Sequence, residues 1–299
     1  MEHRLNCISR MGKHRRLNIR GATYHAMARG NRKEPIFLDD LDREHFLEVV
    51  EEAAERYRVG VIVYCLMGNH FHLIVQTPDG NLSAFMRHVD GVYAQDFNWR
   101  YHLVGHVLQG PFRCVMIEGR CHLLSAVAYV VMNPVEAGLV AAPEAWPWSS
   151  YRAMAGLGEP PVYLSLDWID RVFPASTRHE SQTQFAEIIS GGGRWKSFLD
   201  SGTPAVGPQA FRARIRAYIG ETLFTADVPR SYKALFRPSL DELFAHVANK
   251  DERNQAIQRA SVIHGYKLSE IARFLELHPN SVSRLLISLR RDSRRRGRR

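Results

Sequence analysis

The chain has 299 residues, 45% of them hydrophobic, enough to bury more than one core. Forty Lys and Arg against 31 Asp and Glu leave a net charge of +9, which favours a polyanionic partner, nucleic acid ahead of membrane. No apolar run reaches the ~18 residues of a membrane span, and no signal-peptide pattern opens the chain, so the expectation is a soluble, cytoplasmic protein with no membrane partner. The four cysteines, Cys7, Cys65, Cys114 and Cys121, show no C-x-x-C spacing and exclude the usual zinc-site pattern and a disulfide framework.

A basic opening, "MGKHRRLNIRG", precedes "ATYHAMARGN" (22–31), which reads as a strand ending at a Gly-Asn turn. "DDLDREHFLEVVEEAAERY" (39–57) starts with aspartates suited to capping and sets Phe46, Val49, Val50, Ala53 and Tyr57 at helical spacing. "VGVIVYCLM" (59–67) and "HFHLIVQT" (70–77) are β-branched, apolar strands linked by Gly68-Asn69, a hairpin signature. "NLSAFMRHVDGVYAQDFNWRYH" (81–102) gives a second helix, "HVLQGPFRCVMIEG" (106–119) a strand broken at Gly110-Pro111, and "CHLLSAVAYVVMN" (121–133) a third helix. That third helix is expected to end or kink at Asn133, because Pro134 disfavours helical geometry just before it. The order β-α-β-β-α-β-α predicts an α+β, ferredoxin-like domain: an antiparallel sheet with helices on one face, over residues 1–155.

From 156 to 236 the pattern weakens around "GLGEPP" and "SGGGRW"; it reads as a connecting segment with a short helix in "GPQAFRARIRAYIG". From 237 to 299 it becomes fully helical, and the last two helices meet at a tight turn near His278-Pro279. Leu268, Ile271, Leu275, Val282, Leu285 and Leu286 form their seam, with Asn280 as the expected cap, which is a helix-turn-helix pattern. Seven arginines between Arg290 and Arg299 follow it directly. A DNA reader is therefore preferred to an inert helical bundle, with Ser281, Ser283 and Arg284 near the start of the reading helix.

His70 and His72 stand two residues apart in a strand and so share one face, while Phe71 and Leu73 take the other. Such a pair can chelate a divalent metal; it can equally be two satisfied histidines on a half-buried sheet. Downstream, Tyr129 and Asn133 are four residues apart and share a helix face. The Asn133 amide oxygen could complete a His-His-amide set, and Tyr129 carries a phenol that needs help to lose its proton near neutral pH. His25, on the first strand, reads as a structural sheet residue more readily than as a third ligand, so a hydrolytic zinc centre lacks its ligand set.

His70-Phe71-His72 with a tyrosine in a later helix resembles the single-tyrosine HUH nucleases. More closely, "ARGNRKEPIF", "YCLMGNHFHLIV", "GHVLQGPFR", "YVVMNPVEAGLV" and "WPWSSYRA" resemble the REP-associated tyrosine transposases, relatives of the insertion-sequence transposases, over roughly residues 18–155. Five blocks in order are far more specific than His-x-His alone. The sequence departs at Gly68, where the family usually has proline, and at Pro111, where members often have arginine.

The resemblance implies Mg²⁺ or Mn²⁺ held by His70, His72 and Asn133, with Tyr129 attacking single-stranded DNA to leave a 5′-phosphotyrosine and a 3′-hydroxyl. It implies a bacterial, nucleoid-associated enzyme, monomer or homodimer, that cuts and rejoins hairpin-forming repeats, its basic arm reading the hairpin and its guide bases. Arg29, Arg32 and Arg113 are the best candidates for phosphate contacts. Trp146 and Trp148, with Tyr151, either stack unpaired bases or simply close the core. The alternative from another class is a catalytically inactive DNA-binding regulator derived from a transposase.

Overall fold

Gly68 and Asn69 reverse the chain so that Met67 N–H meets the His70 carbonyl at 2.9 Å, closing a tight hairpin. The Gly68 carbonyl accepts from the amides of Ile36 and Phe37, which ties the turn to the rest of the domain without a proline. The computed structural model describes residues 18–192, 195, 197–199, 205–220, 238–245 and 247–296. The basic arm up to residue 17 and the tail beyond residue 296 lie outside the described residues. Two compact units are present, the first running to residue 212 apart from 202–204, and the second comprising 202–204 and residue 213 onward.

In the first unit the elements are β1 (Ala22–Arg29), α1 (Asp40–Tyr57), β2 (Gly60–Leu66), β3 (His70–Thr77), α2 (Leu82–Arg100), β4 (Arg113–Ile117) and α3 (Arg120–Glu136). They are followed by α4 (Tyr151–Met154), α5 (Asp167–Val172), α6 (Arg178–Ser190), β5 (Ala205–Val206) and the start of α7 (Gln209–Gly220). The sheet order is β2-β3-β1-β4-β5, antiparallel except for the short β5, which runs parallel to β4. The first four strands thus take the ferredoxin-like arrangement.

The helices do not all lie on one face. Phe46 of α1 packs on Phe71 at 4.5 Å between ring centroids, and Tyr93 of α2 packs on Phe46 at 5.1 Å. Tyr129 of α3 instead meets His72, one residue along β3 and therefore on the opposite face, at 5.6 Å. Residue spacing shows that a helix is amphipathic but not which side of the sheet receives it.

Asp39 caps α1 by accepting from the Asp42 amide at 3.0 Å, as its position predicts. Asp42, only 3% exposed, takes the Leu38 N–H at 2.7 Å, Arg100 Nη1 at 2.5 Å and the Tyr101 hydroxyl at 3.0 Å. This one carboxylate pins the end of α2 to the start of α1. Asp42→Ala strands those donors and is expected to cost about 3 kcal/mol, a fall of roughly 6–12 °C in the melting temperature. A fall below about 2 °C would show that Asp39, which also pairs with Arg100 at 2.6 Å, suffices.

α3 continues through Pro134 to Glu136, against the expected stop at Asn133. Pro134 falls in the final turn and forgoes one N–H bond there, and the chain still closes with Ala137 N–H on the Asn133 carbonyl at 2.9 Å.

The strand expected over 106–119 is broken as read: Leu108 bridges Gly30 antiparallel, with Asn31 N–H on the Val107 carbonyl at 2.8 Å, and β4 resumes the pairing at Arg113 after the Gly110-Pro111 break. The outer edge of β2 is covered rather than left open, by Leu66 N–H to the Trp148 carbonyl at 2.8 Å and Ser165 N–H to Val61 at 2.7 Å.

The stretch read as a connector carries real packing. Phe185 of α6 meets Trp168 of α5 at 5.6 Å and Tyr151 of α4 at 5.9 Å, so the first unit extends well past residue 155.

The second unit contains α8 (Leu240–Phe244), α9 (Lys250–Gln258) with a π-helical turn at Arg259–Ile263, α10 (Leu268–Phe274) and α11 (Pro279–Arg296). Ile257, Ala260, Tyr266, Ile271, Ala272, Val282 and Leu286 form its core, with Leu268, Leu275 and Leu285 packed against it. Asn280 does not cap α11: Pro279 is its first residue, and the His278 ring nitrogen Nδ1 accepts from Asn280 N–H at 3.2 Å. Proline prefers that first helical position, where its missing N–H costs nothing. No described helix is long and apolar enough to cross a membrane.

Candidate active site

Alternation along β3 delivers His70 and His72 to the face that α3 covers, and α3 delivers Tyr129 and Asn133 from one side of its surface. The His70 and His72 rings stand edge to face with centroids 5.0 Å apart, and Tyr129 lies edge to face with His72 at 5.6 Å. The four residues singled out in the sequence for chemistry therefore belong to one site. His72 is 2% exposed, whereas His70, Tyr129 and Asn133 are half-buried, so the site opens along one side.

The electrostatics keep both imidazoles neutral. Burial first, and the Arg29 cation second, push His70 down to about 4, although a hydrogen bond with Asn133 works the other way. His72 is held well below its ordinary value by burial, and then by His25, His70, Arg113 and Arg29. A neutral imidazole offers a lone pair, which is the form that binds a metal.

Three observations test whether the residues fit such an ion. His72 Nε2 is buried and has no hydrogen-bond partner. His70 spends its Nδ1 on Asn69 Oδ1 at 2.7 Å, so its hydrogen bond with Asn133 falls to Nε2, the atom that would turn to a cation shared with that amide. Asn133 donates its Nδ2 to the Tyr129 carbonyl at 3.2 Å, which leaves the amide oxygen to act as an acceptor. Among the described residues no group of three or more His, Cys, Asp or Glu side chains could hold a metal. A cation here would thus rest on two imidazoles and an amide, completed by water or phosphate oxygens. Oxygen donors from a phosphate suit Mg²⁺ or Mn²⁺, while the imidazoles suit the softer of the two. The set fits.

Other residues singled out in the sequence take varied positions. Arg29 pairs across the sheet with His70 on the same face, half-buried, with its Nε lacking a partner. Arg113, opposite Met27, donates to the Leu199 carbonyl of its own chain. Arg32 is exposed, in a left-handed backbone conformation with φ 53°.

Trp146 gives its indole N–H to the Leu66 carbonyl at 3.1 Å, and Trp148 lies under the Arg43 guanidinium at 5.5 Å. The first contact ties the loop to the β2 edge, and the second ties it to α1. In the second unit Ser281 and Arg284 are exposed and Ser283 is half-buried on α11, with Arg284 Nε 3.4 Å from the Asn280 carbonyl.

Two residues were read from the sequence without a part in the site, His25 as a structural sheet residue and Asn69 as part of the turn. His25, 0% exposed, is hydrogen-bonded through Nε2 to His72 Nδ1 at 3.0 Å, and its ring lies 6.0 Å from that of Tyr129. Asn69 bonds His70 and donates to the Lys33 carbonyl at 2.9 Å, so its amide is fixed from both ends. His25 could have been suspected from its alternation with Arg29, but its nearness to His72 depends on the strand register, which pairs His25 with Ile74.

Residues 18–130 match the family model described as "Transposase IS200 like".

Among solved structures, the chain is similar to a REP-associated tyrosine transposase bound to a REP hairpin. That likeness has a TM-score of 0.43 and 20% identity, over 52% of this chain and 92% of that one. A structure from Deinococcus radiodurans R1, named as a transposase, is similar at a TM-score of 0.29 and 12% identity, over 38% of this chain and 88% of that one. No curated protein matches the sequence.

Proposed function

We propose that this protein is a metal-dependent single-strand DNA endonuclease and strand transferase that cuts and rejoins hairpin-forming, REP-like repeats. The observation that carries the reading is the Tyr129 ring standing edge to face with His72 at 5.6 Å, beside the His70–His72 pair, in a stretch that matches a transposase family model. The substrate class comes from the five sequence blocks that resemble REP-associated tyrosine transposases.

In this reading Tyr129 Oη attacks phosphorus, the P–O3′ bond breaks, and a 5′-phosphotyrosine forms. The phenolic proton leaves to water, and the departing 3′-oxygen takes one up as a 3′-hydroxyl. Attack by a 3′-hydroxyl on the phosphotyrosine reverses the step, so rejoining needs no ATP.

A divalent cation, Mg²⁺ or Mn²⁺, held by His70, His72 and Asn133, supplies Lewis-acid polarisation of the scissile phosphate. Arg29, beside His70, supplies a fixed positive charge to the phosphate backbone, with Arg32 beyond it. Arg113, although it also meets Leu199, is part of the same positive field, since it lowers His72.

The indoles of Trp146 and Trp148 tie their loop to the β2 edge and to α1 in this reading, and any stacking on bases uses their half-exposed faces. The second unit, with its tight turn between α10 and α11, acts as a duplex-DNA module through Ser281, Ser283 and Arg284. Oligomeric assembly as one chain or two is compatible with one tyrosine per site, since each site makes one cut at a time.

The test uses a hairpin oligonucleotide with a single-stranded flank, labelled at its 3′ end, and the full chain with Mn²⁺. A labelled species of protein mass that survives denaturation is expected. Tight hairpin binding without any such species, under Mg²⁺ or Mn²⁺, would leave a DNA-binding regulator instead.

A further inference from the structure

We infer that His25 is a positioning residue: it fixes His72 in the tautomer whose Nε2 lone pair can hold a cation. The inference rests on the nuclease reading of the same site. A neutral imidazole carries one proton, and binding through Nε2 requires that proton on Nδ1, where a hydrogen-bond acceptor must receive it.

The partner of His72 Nδ1 is His25 Nε2 at 3.0 Å. When His72 donates across this contact, His25 accepts and holds its own proton on Nδ1. The reverse arrangement places the His72 proton on Nε2, the atom that is buried and has no hydrogen-bond partner, and so blocks the site.

The neighbouring imidazole follows the same rule. His70 Nδ1 meets Asn69 Oδ1 at 2.7 Å. The orientation of that amide is set because its Nδ2 donates to the Lys33 carbonyl at 2.9 Å, leaving only the oxygen to face His70. Both imidazoles of the pair are thus held by an acceptor at Nδ1 and present Nε2. The difference is that Asn69 can serve His70 only as an acceptor, whereas His25 must itself adopt one of two tautomers.

His25 is suited to that role by its surroundings. It is 0% exposed, lies one cross-strand diagonal from His72 on β1, and its ring sits 5.1 Å from His72 and 6.0 Å from Tyr129. Both rings are buried, and His25 Nε2 is the hydrogen-bond partner of His72 Nδ1.

The experiment compares the full-length wild type with His25→Phe, which keeps the ring and loses the acceptor. His25→Gln serves as the second variant, since its amide oxygen can reach the place of the imidazole Nε2. Manganese affinity is read by electron paramagnetic resonance titration of the protein without DNA, and hairpin binding is read without metal.

Loss of an outer-shell partner typically weakens metal binding roughly 10–100-fold, and that is expected for His25→Phe with hairpin affinity unchanged. His25→Gln is expected to recover to within a few-fold of wild type. In the metal-free wild type, ¹⁵N shifts of the His72 ring are expected to report a proton on Nδ1.

Wild-type manganese affinity in a folded His25→Phe protein would overturn the inference, as would a His72 proton on Nε2. If His25→Phe does not fold, His25→Gln decides: retained affinity supports the inference and lost affinity overturns it. A wild type that binds no manganese and forms no adduct defeats the proposed function instead, while the ring shifts still test the tautomer.

Discussion

Replacing Tyr129 with phenylalanine is expected to abolish the covalent protein–DNA species and to lower hairpin cleavage by roughly 10³-fold or more, the scale seen when a nucleophile is removed. The substitution removes one oxygen and keeps the ring that stands edge to face with His72 and near His25. Packing is preserved, so the melting temperature should stay within about 3 °C of wild type, as for a volume-conserving swap. Manganese affinity should also stay near wild type, because the Asn133 amide keeps its bond to the carbonyl of residue 129. Persistence of the adduct in the folded variant would move the nucleophile to another residue and remove the central step of the proposed reaction.

The parts of this architecture legible in the sequence were those governed by local rules. Alternation gave β3 with the boundaries Thr77 and His70, and the aspartates before Phe46 gave the start of α1 with Asp39 as its cap. Shared faces followed too: two residues apart on a strand and four on a helix were enough to pair His70 with His72 and Tyr129 with Asn133.

What failed were long-range choices. α3 crosses the face opposite α1 and α2, a choice made by sheet packing and not by any periodicity in "CHLLSAVAYVVMN". Pro134 did not end the helix, which runs on through it to Glu136, so a proline in the closing turn did not act as a stop signal. Asn280 was taken for a cap on residue type alone, where the His278 ring performs that task and Pro279 opens the helix.

The stretch after residue 155 looked like a connector because its glycines and prolines stand out, while Trp168, Phe173 and Phe185 only reveal a shared cluster once folded. The site shows the same division. The His70–His72 and Tyr129–Asn133 pairs were readable from spacing and the resemblance joined them, but the contacts that Asn69 and His25 make with the imidazoles were not. Asn69 acts through an amide whose direction is set by Lys33 36 residues away, and His25 through a register between separate strands.

The metal set makes the second large prediction. His72→Ala removes the buried Nε2, and with it one of the two imidazoles that would hold the cation. Polarisation of a phosphate by a metal is worth several kcal/mol, so cleavage should fall by roughly 10²–10⁴-fold.

Hairpin affinity measured without metal should stay within about threefold, because DNA grip depends on backbone charge and not on imidazole. Arg29 is unaffected by the change, since it faces His70 rather than His72 in the sheet register. The variant also leaves His25 without its 3.0 Å partner in a buried place, so a stability cost of about 1–3 kcal/mol accompanies the loss. His70→Ala, at a half-buried position, separates the two effects: it should lose cleavage to a similar extent with a smaller drop in melting temperature. Loss of DNA binding together with cleavage in both variants would assign the imidazoles to the fold rather than to the ion. Retention of cleavage in either would leave the cation, if one is needed, to be held elsewhere.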